Sequence, residues 1–360
     1  MRVVFHIGTH KTGSTTLQET FTRNADVLAE NGICYPSISS YPQHTQLIFA
    51  DTDDEEFPGS FARRVPEKRE AGKVQAEEFW NAVREQVTKS KYEVLLLSSE
   101  FVFGMRPRSQ ERLIERLRTF GEHVHFVGYM RSPASHYVSA LQQTLKYGDE
   151  VIGLDKIPVL GSKYRAASRL PVDQLTIKKF ERSAFLYDCI CKDFAKTILN
   201  LPEGVIQSLD VVNSNESVSA EAMAILKDFN HYHSPGLRRA GNALSLALID
   251  RIQATETALG LTKPKLLESM KHAIENELRD DISWLKDHAG LVFEDFDYDG
   301  GKPISYESRR LIENRAITAL DRLVQIDWAA CNALCRRLLI GLTDELIGLS
   351  HESYLAHRPG

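Results

Sequence analysis

The stretch VVFHIGTHKTGSTTLQ, residues 3–18, constrains this chain more than any other part of it. Residues 3–7 form a short apolar run that leads directly into a loop bounded by Gly8 and Gly13. Leu17, Phe21, Ala25 and Leu28 then recur at spacings of three and four, the stripe of an inward-facing helix ending before Asn31-Gly32. A buried strand, a tight loop and a helix start in succession predict an anion site at the junction. The two glycines let the backbone turn sharply and approach a ligand closely. The amides of Gly13, Ser14, Thr15 and Thr16 face outward at the first helical turn, where the helix dipole favours negative charge. Lys11, with His10 beside it, adds an ammonium inside the loop, and the hydroxyls of Thr12, Ser14, Thr15 and Thr16 add donors.

Two later strand-to-helix junctions are candidates for the same site. Residues 94–97 are four consecutive apolar residues, as suits a strand covered on both faces, and Ser98, Ser99 and Glu100 follow at its carboxyl end. Ligands of open α/β sheets bind at that end, which gives Glu100 a privileged address. Residues 124–130 form another such strand, followed by Arg131-Ser132-Pro133, where Ser132 can cap and Pro133 can open a helix running to about residue 147. Ser139 lies two turns into that helix, on the face of Ser132 and of Ser135 or His136, so Arg131 and Ser139 can reach one group held at the junction.

The Walker A loop, G-x-x-x-x-G-K-[ST], places its lysine after the second glycine. Here Lys11 precedes Gly13, in the order K-T-G-S-T. That order resembles the 5′-phosphosulfate loop of sulfotransferases that use 3′-phosphoadenosine 5′-phosphosulfate (PAPS). The spacing of Arg131 and Ser139 is similar to the arginine and serine that hold the cofactor's 3′-phosphate in that family. The resemblance extends in outline over about residues 1–295, but only these two motifs are specific. It implies an α/β fold with a P-loop-like central parallel sheet flanked by helices and a mostly helical C-terminal part. It also implies transfer of the sulfuryl group of PAPS to an acceptor hydroxyl, releasing adenosine 3′,5′-bisphosphate, with no metal expected. Lys11 would stabilise the leaving oxygen, and Glu100 would be the base, with His44 as the second choice. Leu17 stands where members acting on small aromatic acceptors carry a tryptophan, so the likeness is closer to bacterial and carbohydrate-type members and the expected acceptor is a carbohydrate or glycolipid. A P-loop kinase or hydrolase and a non-enzymatic nucleotide-binding protein are the alternatives; against the first, no magnesium-binding aspartate follows Leu97.

The remaining chain bounds these expectations. A net charge of -5 argues against a nucleic-acid partner held by general positive charge, so the anion site must be local. No apolar run approaches the roughly 20 residues that cross a bilayer, and no signal peptide is legible at the start; a cytoplasmic protein is expected. Cys34, Cys189, Cys191, Cys331 and Cys335 lack histidines at zinc spacing and read as reduced, mostly buried thiols. Residues 36–72, with the acidic cluster Asp51, Asp53, Asp54, Glu55 and Glu56, read as an insertion or lid. Residues 149–172 read as an acceptor-side loop and 175–180 as a further strand. Residues 186–199 suggest a helix with Tyr187, Cys191 and Phe194 inward. The glycine- and aspartate-rich 297–302 marks a boundary between an α/β domain, 1–298, and a helical extension, 299–360, read as packing or homo-oligomer contact.

Overall fold

Five strands, β1 (Arg2–His6), β2 (Ile33–Cys34), β3 (Val94–Ser98), β4 (His123–Met130) and β5 (Gln174–Lys179), form one sheet in the order β2-β3-β1-β4-β5, every pair parallel. The computed structural model describes residues 1–56, 66–154, 157–212, 217–233, 243–300 and 319–356. Between and after the strands run α1 (Ser14–Arg23), α2 (Ala25–Glu30), α3 (Pro66–Thr88), α4 (Pro107–Arg118), α5 (Pro133–Tyr147), α6 (Leu160–Ala167), α7 (Ile190–Thr197) and α8 (Glu203–Ser208). The C-terminal part is helical, with α9 (Ala220–His233), α10 (Ala243–Ala258), α11 (Glu268–Ala289) and α12 (Trp328–Ala356). This is an α/β fold, a parallel sheet flanked by helices. Among the described residues no helix is long and apolar enough to cross a membrane.

The chain divides into two compact units. The first is Met1–Ser132, Val159–Asn215 and Arg279–Phe296, and the second is Pro133–Pro158, Glu216–Leu278 and Asp297–Gly360. The division thus differs from a break at residue 298 alone, because α5, α9 and α10 leave the first unit as well.

In the first unit the two-residue period of β1 sorts its side chains onto opposite faces. Val4 lies with Leu96, Val127 and Tyr129 in a cluster that takes in Leu17 and Phe21 of α1, Leu28 of α2, and Cys191 and Phe194 of α7. Val3 and Phe5 turn the other way, where the Phe5 and Phe126 rings meet edge-on at 6.0 Å. Val3, Val4, Phe5, Leu95, Leu96 and Leu97 are all fully buried, as the unbroken apolar runs required.

The topology singles out one end of β1. The connection leaving β1 goes to one side, to β2, whereas those leaving its neighbours β3 and β4 go to the other. Such reversals open a crevice beyond the carboxyl ends of the strands, here at both flanks of the β1 loop.

Several local expectations are corrected. The helix after the loop breaks at Asn24, whose side-chain amide donates to the carbonyls of Thr20 and Asp210 and separates α1 from α2. Residues 36–56 are built into the first unit rather than standing over it as a lid. Leu47, Ile48 and Phe49 sit in a buried 3-10 turn, and the Trp80 indole donates to the Leu47 carbonyl at 2.9 Å. The acidic cluster is paired with cations: Asp51 with Arg116, Asp53 with Arg112, Asp54 with Lys73 and Glu55 with Arg106. The basic Arg63 and Arg64 lie outside the described residues. Tyr187 is exposed, because the backbone turns left-handed at Tyr187 and Asp188 (φ 59° and 51°) and α7 begins only at Ile190.

The second unit is held by its own polar joints. Ser219 caps α9 by accepting from the Ala222 amide at 3.1 Å, and the Glu256 carboxylate accepts from the Ser219 amide. Buried Asn230 donates to the Leu145 carbonyl and accepts from Ser245, tying α9 to α5 and α10. On α11, Met270, Ile274 and Leu278 are buried as their spacing predicts.

The joint between α7 and the sheet is the test of this core. Phe194 is fully buried, 5.4 Å from the Phe21 ring and 6.0 Å from His6. Phe194→Ala should cost about 3–5 kcal/mol in urea unfolding.

Candidate functional site

Three positions with positive φ set the shape of the β1 loop. Gly8 (φ 27°) and Gly13 (φ 74°) take positive φ, and between them Lys11 does so too at 68°. A lysine held there is unusual, and such strain concentrates at ligand sites. A β-carbon at Gly13 would fall 2.8 Å from the Phe180 ring, so glycine is required sterically as well as conformationally. Thr9 donates to the Tyr129 carbonyl and Thr12 to the Thr9 carbonyl at 2.5 Å, both buried. The Thr12 hydroxyl therefore holds the loop's own shape.

Past Gly13 the chain enters α1, whose first-turn amides have no partner within the helix. No acidic residue stands in that turn. Ser14 is buried and its hydroxyl has no hydrogen-bond partner, Thr16 is half-buried and Thr15 exposed. These donors and the Lys11 ammonium fit an anionic group at the loop.

Below the loop lies a buried polar network. The Gln18 amide donates to the Ser98 hydroxyl at 3.0 Å, and Ser98 meets His6 Nδ1 at 2.8 Å. His6 Nε2 is buried and has no hydrogen-bond partner. Burial pushes the His6 imidazole down to about 4, although Glu100 opposes that shift, so the ring is neutral at pH 7.

The carboxyl ends of β3 and β4 bring two more candidates to the loop. Glu100 meets His10 Nδ1 at 3.0 Å, with the His10 side chain 53% exposed and that of Glu100 28%. Burial alone would raise the Glu100 carboxyl. The hydrogen bond from His10 and the charges of His10, Lys11 and His6 outweigh it, and the carboxyl lies below its ordinary value. Arg131 reaches the Lys11 carbonyl at 3.4 Å, its guanidinium 5.5 Å above the Phe180 ring. Burial lowers its pKa, and the nearby Asp295 charge only partly offsets that shift. Asp295 also accepts the Ser132 hydroxyl at 2.6 Å.

His10, Lys11, Gly13, Ser14, Glu100 and Arg131 are thus brought together, by the ends of three adjacent strands. His44 is not a free base. It is 1% exposed, its Nε2 is bonded to the Pro36 carbonyl at 2.8 Å, and its Nδ1 accepts from the Ser98 amide at 3.0 Å. Both ring nitrogens are engaged by backbone, so His44 pins the loop after β2 to the end of β3. Ser139 is half-buried on α5 and belongs to the second unit. Sequence reasoning missed Phe180, Gln18 and Asp295. Gln18 alone left a signal, a polar residue next to the inward Leu17.

Comparison of the chain with protein-family models, with curated proteins and with solved structures returns no match.

The buried histidines give stability a pH dependence. His6 and His44 are each pushed by burial from 6.5 to about 4, His44 despite its bond to Pro36. The unfolded chain therefore binds more protons between those values, and stability rises with pH across that window. Their contribution should be complete above pH 6.5 and be lost as pH falls toward 4, as read by urea unfolding at stepped pH. His44→Gln should flatten that slope and, by leaving the Ser98 amide without its buried acceptor, cost about 1–3 kcal/mol at pH 7.

Proposed function

We propose that the chain is a PAPS-dependent sulfotransferase that transfers a sulfuryl group to an acceptor hydroxyl on a carbohydrate or glycolipid. The observation that carries this reading is the meeting of Lys11, Glu100 and Arg131 at the switch point of a parallel sheet, with Lys11 ahead of Gly13. Two separate anionic ends of one donor need two cationic cradles. The β1 loop and α1 amides supply one and Arg131 the other.

PAPS supplies the sulfuryl group and the nucleotide leaving group, and the chain supplies alignment and charge. Lys11 is the cation at the loop, placed to take up charge that develops on the leaving oxygen. Ser14 offers a buried hydroxyl, and the first-turn amides of α1 hold the group in line. Glu100 is ionised at neutral pH and accepts the hydroxyl proton, and His10 orients it. Its lowered pKa makes it a modest base that stays charged in mildly acidic solution. His44 is not part of this mechanism. The five free cysteines suit the reducing cytoplasm in which we place the reaction.

The position beside β1 disfavours nucleotide hydrolysis or kinase chemistry. A magnesium-binding aspartate would be expected directly after Leu97 on β3, where Ser98 is instead committed to His6 and Gln18. Titration calorimetry with adenosine 3′,5′-bisphosphate, and with ATP plus magnesium, separates the readings. The bisphosphate should bind more tightly, and preference for ATP would reverse the assignment. Arg131→Ala should abolish the preference for the 3′-phosphorylated nucleotide over adenosine 5′-phosphate. With radiolabelled PAPS and a glycan panel, Lys11→Ala should slow transfer by about 10²-fold or more and Glu100→Gln by about 10²–10⁴-fold. Transfer to phenols alone would reject the sugar acceptor.

A further inference from the structure

The segment Cys189-Ile190-Cys191 plays no part in the mechanism above, yet it touches the β1 loop and α1. Cys189 is the residue at which α7 begins, in extended backbone (φ −133°, ψ 116°), and Ile190 is the first helical residue. A helical residue holds its two neighbours' Cα atoms about 5.4 Å apart, inside the roughly 4.4–6.8 Å window of a disulfide. Both thiols are free, Cys189 half-buried and Cys191 buried. Their titrations are linked, each thiol shifting the other's pKa.

The middle and last residues of the segment lie against the anion loop. A β-carbon at Gly13 would be 3.3 Å from Ile190 Cδ1. The Cys191 thiol donates to the Thr16 carbonyl at 3.6 Å and lies 3.4 Å from Thr20 Oγ1, both on α1. Cys189 stands at a helix N-terminus with Lys192 close by, surroundings that favour a thiolate. Its pKa is accordingly lowered, first by the neighbouring Cys191 thiol, while Cys189 and burial raise that of Cys191. The more exposed sulfur is the nucleophile and the buried one the resolving thiol.

We propose that Cys189 and Cys191 form a reversible redox pair whose disulfide loosens the α1 end of the anion loop. The inference goes beyond the sulfotransferase reading and holds whatever the loop binds. The oxidant is a hydroperoxide. The Cys189 thiolate attacks its terminal oxygen, the O–O bond breaks, an alkoxide leaves to become an alcohol, and Cys189 becomes a sulfenic acid. The Cys191 sulfur then attacks that sulfur as its own proton departs, the S–O bond breaks, and water leaves. Two thiols lose two electrons and the peroxide becomes an alcohol and water. A dithiol reductant reverses the change by exchange. The disulfide has no S–H left to donate to the Thr16 carbonyl.

The test uses the full-length protein and hydrogen peroxide at pH 7, read by intact mass and peptide mapping. Equimolar peroxide should remove about 2 Da, mapped to 189–191 and restored by dithiothreitol. Substoichiometric iodoacetamide should label Cys189 before the other four cysteines. Cys189→Ser should abolish the mass loss, and Cys191→Ser should leave a sulfenic acid trappable by dimedone. Amide exchange at residues 8–16 should quicken by about fivefold on oxidation, as one local hydrogen bond is lost. Oxidation of another cysteine first, or a mass loss that survives in Cys189→Ser, would overturn the pair. Unchanged exchange in the oxidised protein would overturn its link to the loop.

Discussion

Burying β1 on both faces leaves its carboxyl end as the place where its backbone can meet a ligand. Val3, Val4 and Phe5 have no exposed surface, and parallel partners occupy both edges of the strand. The strand is thus a fixed rod, and the candidate site sits at its tip. Everything at that tip inherits the rod's position, including the left-handed Lys11, the helix N-terminus of α1 and the ends of β3 and β4. Because interiors are close-packed, such a rod cannot yield without a cost spread over its neighbours.

Charge is arranged in layers around that tip. Uppermost are Lys11, Arg131 and Glu100 with its partner His10, all at least partly exposed. Beneath them a neutral polar layer, His6, Ser98, Gln18 and His44, exchanges hydrogen bonds without carrying charge at neutral pH. A neutral support can be packed tightly against apolar residues, whereas a charged one would demand its own desolvation cost. Asp295 departs from this order: it is a carboxylate placed beside Arg131 through Ser132, so an anion arriving there meets a competitor.

Much of this was legible in the sequence where local pattern and final environment agree. The strands were readable because doubly covered strands are continuous apolar runs, and the loop because Gly8 and Gly13 are needed for its backbone. Glu100 and Arg131 could be placed beside the loop from their address at strand ends. What escaped notice depends on contacts between distant residues or on irregular backbone. Ser132 and Asp295 lie 163 positions apart and share no local signature. Leu47, Ile48 and Phe49 hid in a 3-10 turn, which shows neither helical nor strand periodicity. Tyr187 was set on an inner helical face because its period matches Cys191 and Phe194, while its backbone is not helical. His44 has the right chemistry for a base, and only the burial of both its nitrogens removes it.

Phe180 is the least conspicuous of the residues at the tip. It sits one position past β5, its ring edge against Gly13 and its face beneath the Arg131 guanidinium. One ring therefore serves as common footing for the lysine-bearing loop and for the arginine that faces it. Because the ring is rigid, a smaller side chain at Phe180 would take away the packing of Gly13 and the support under Arg131 in one stroke.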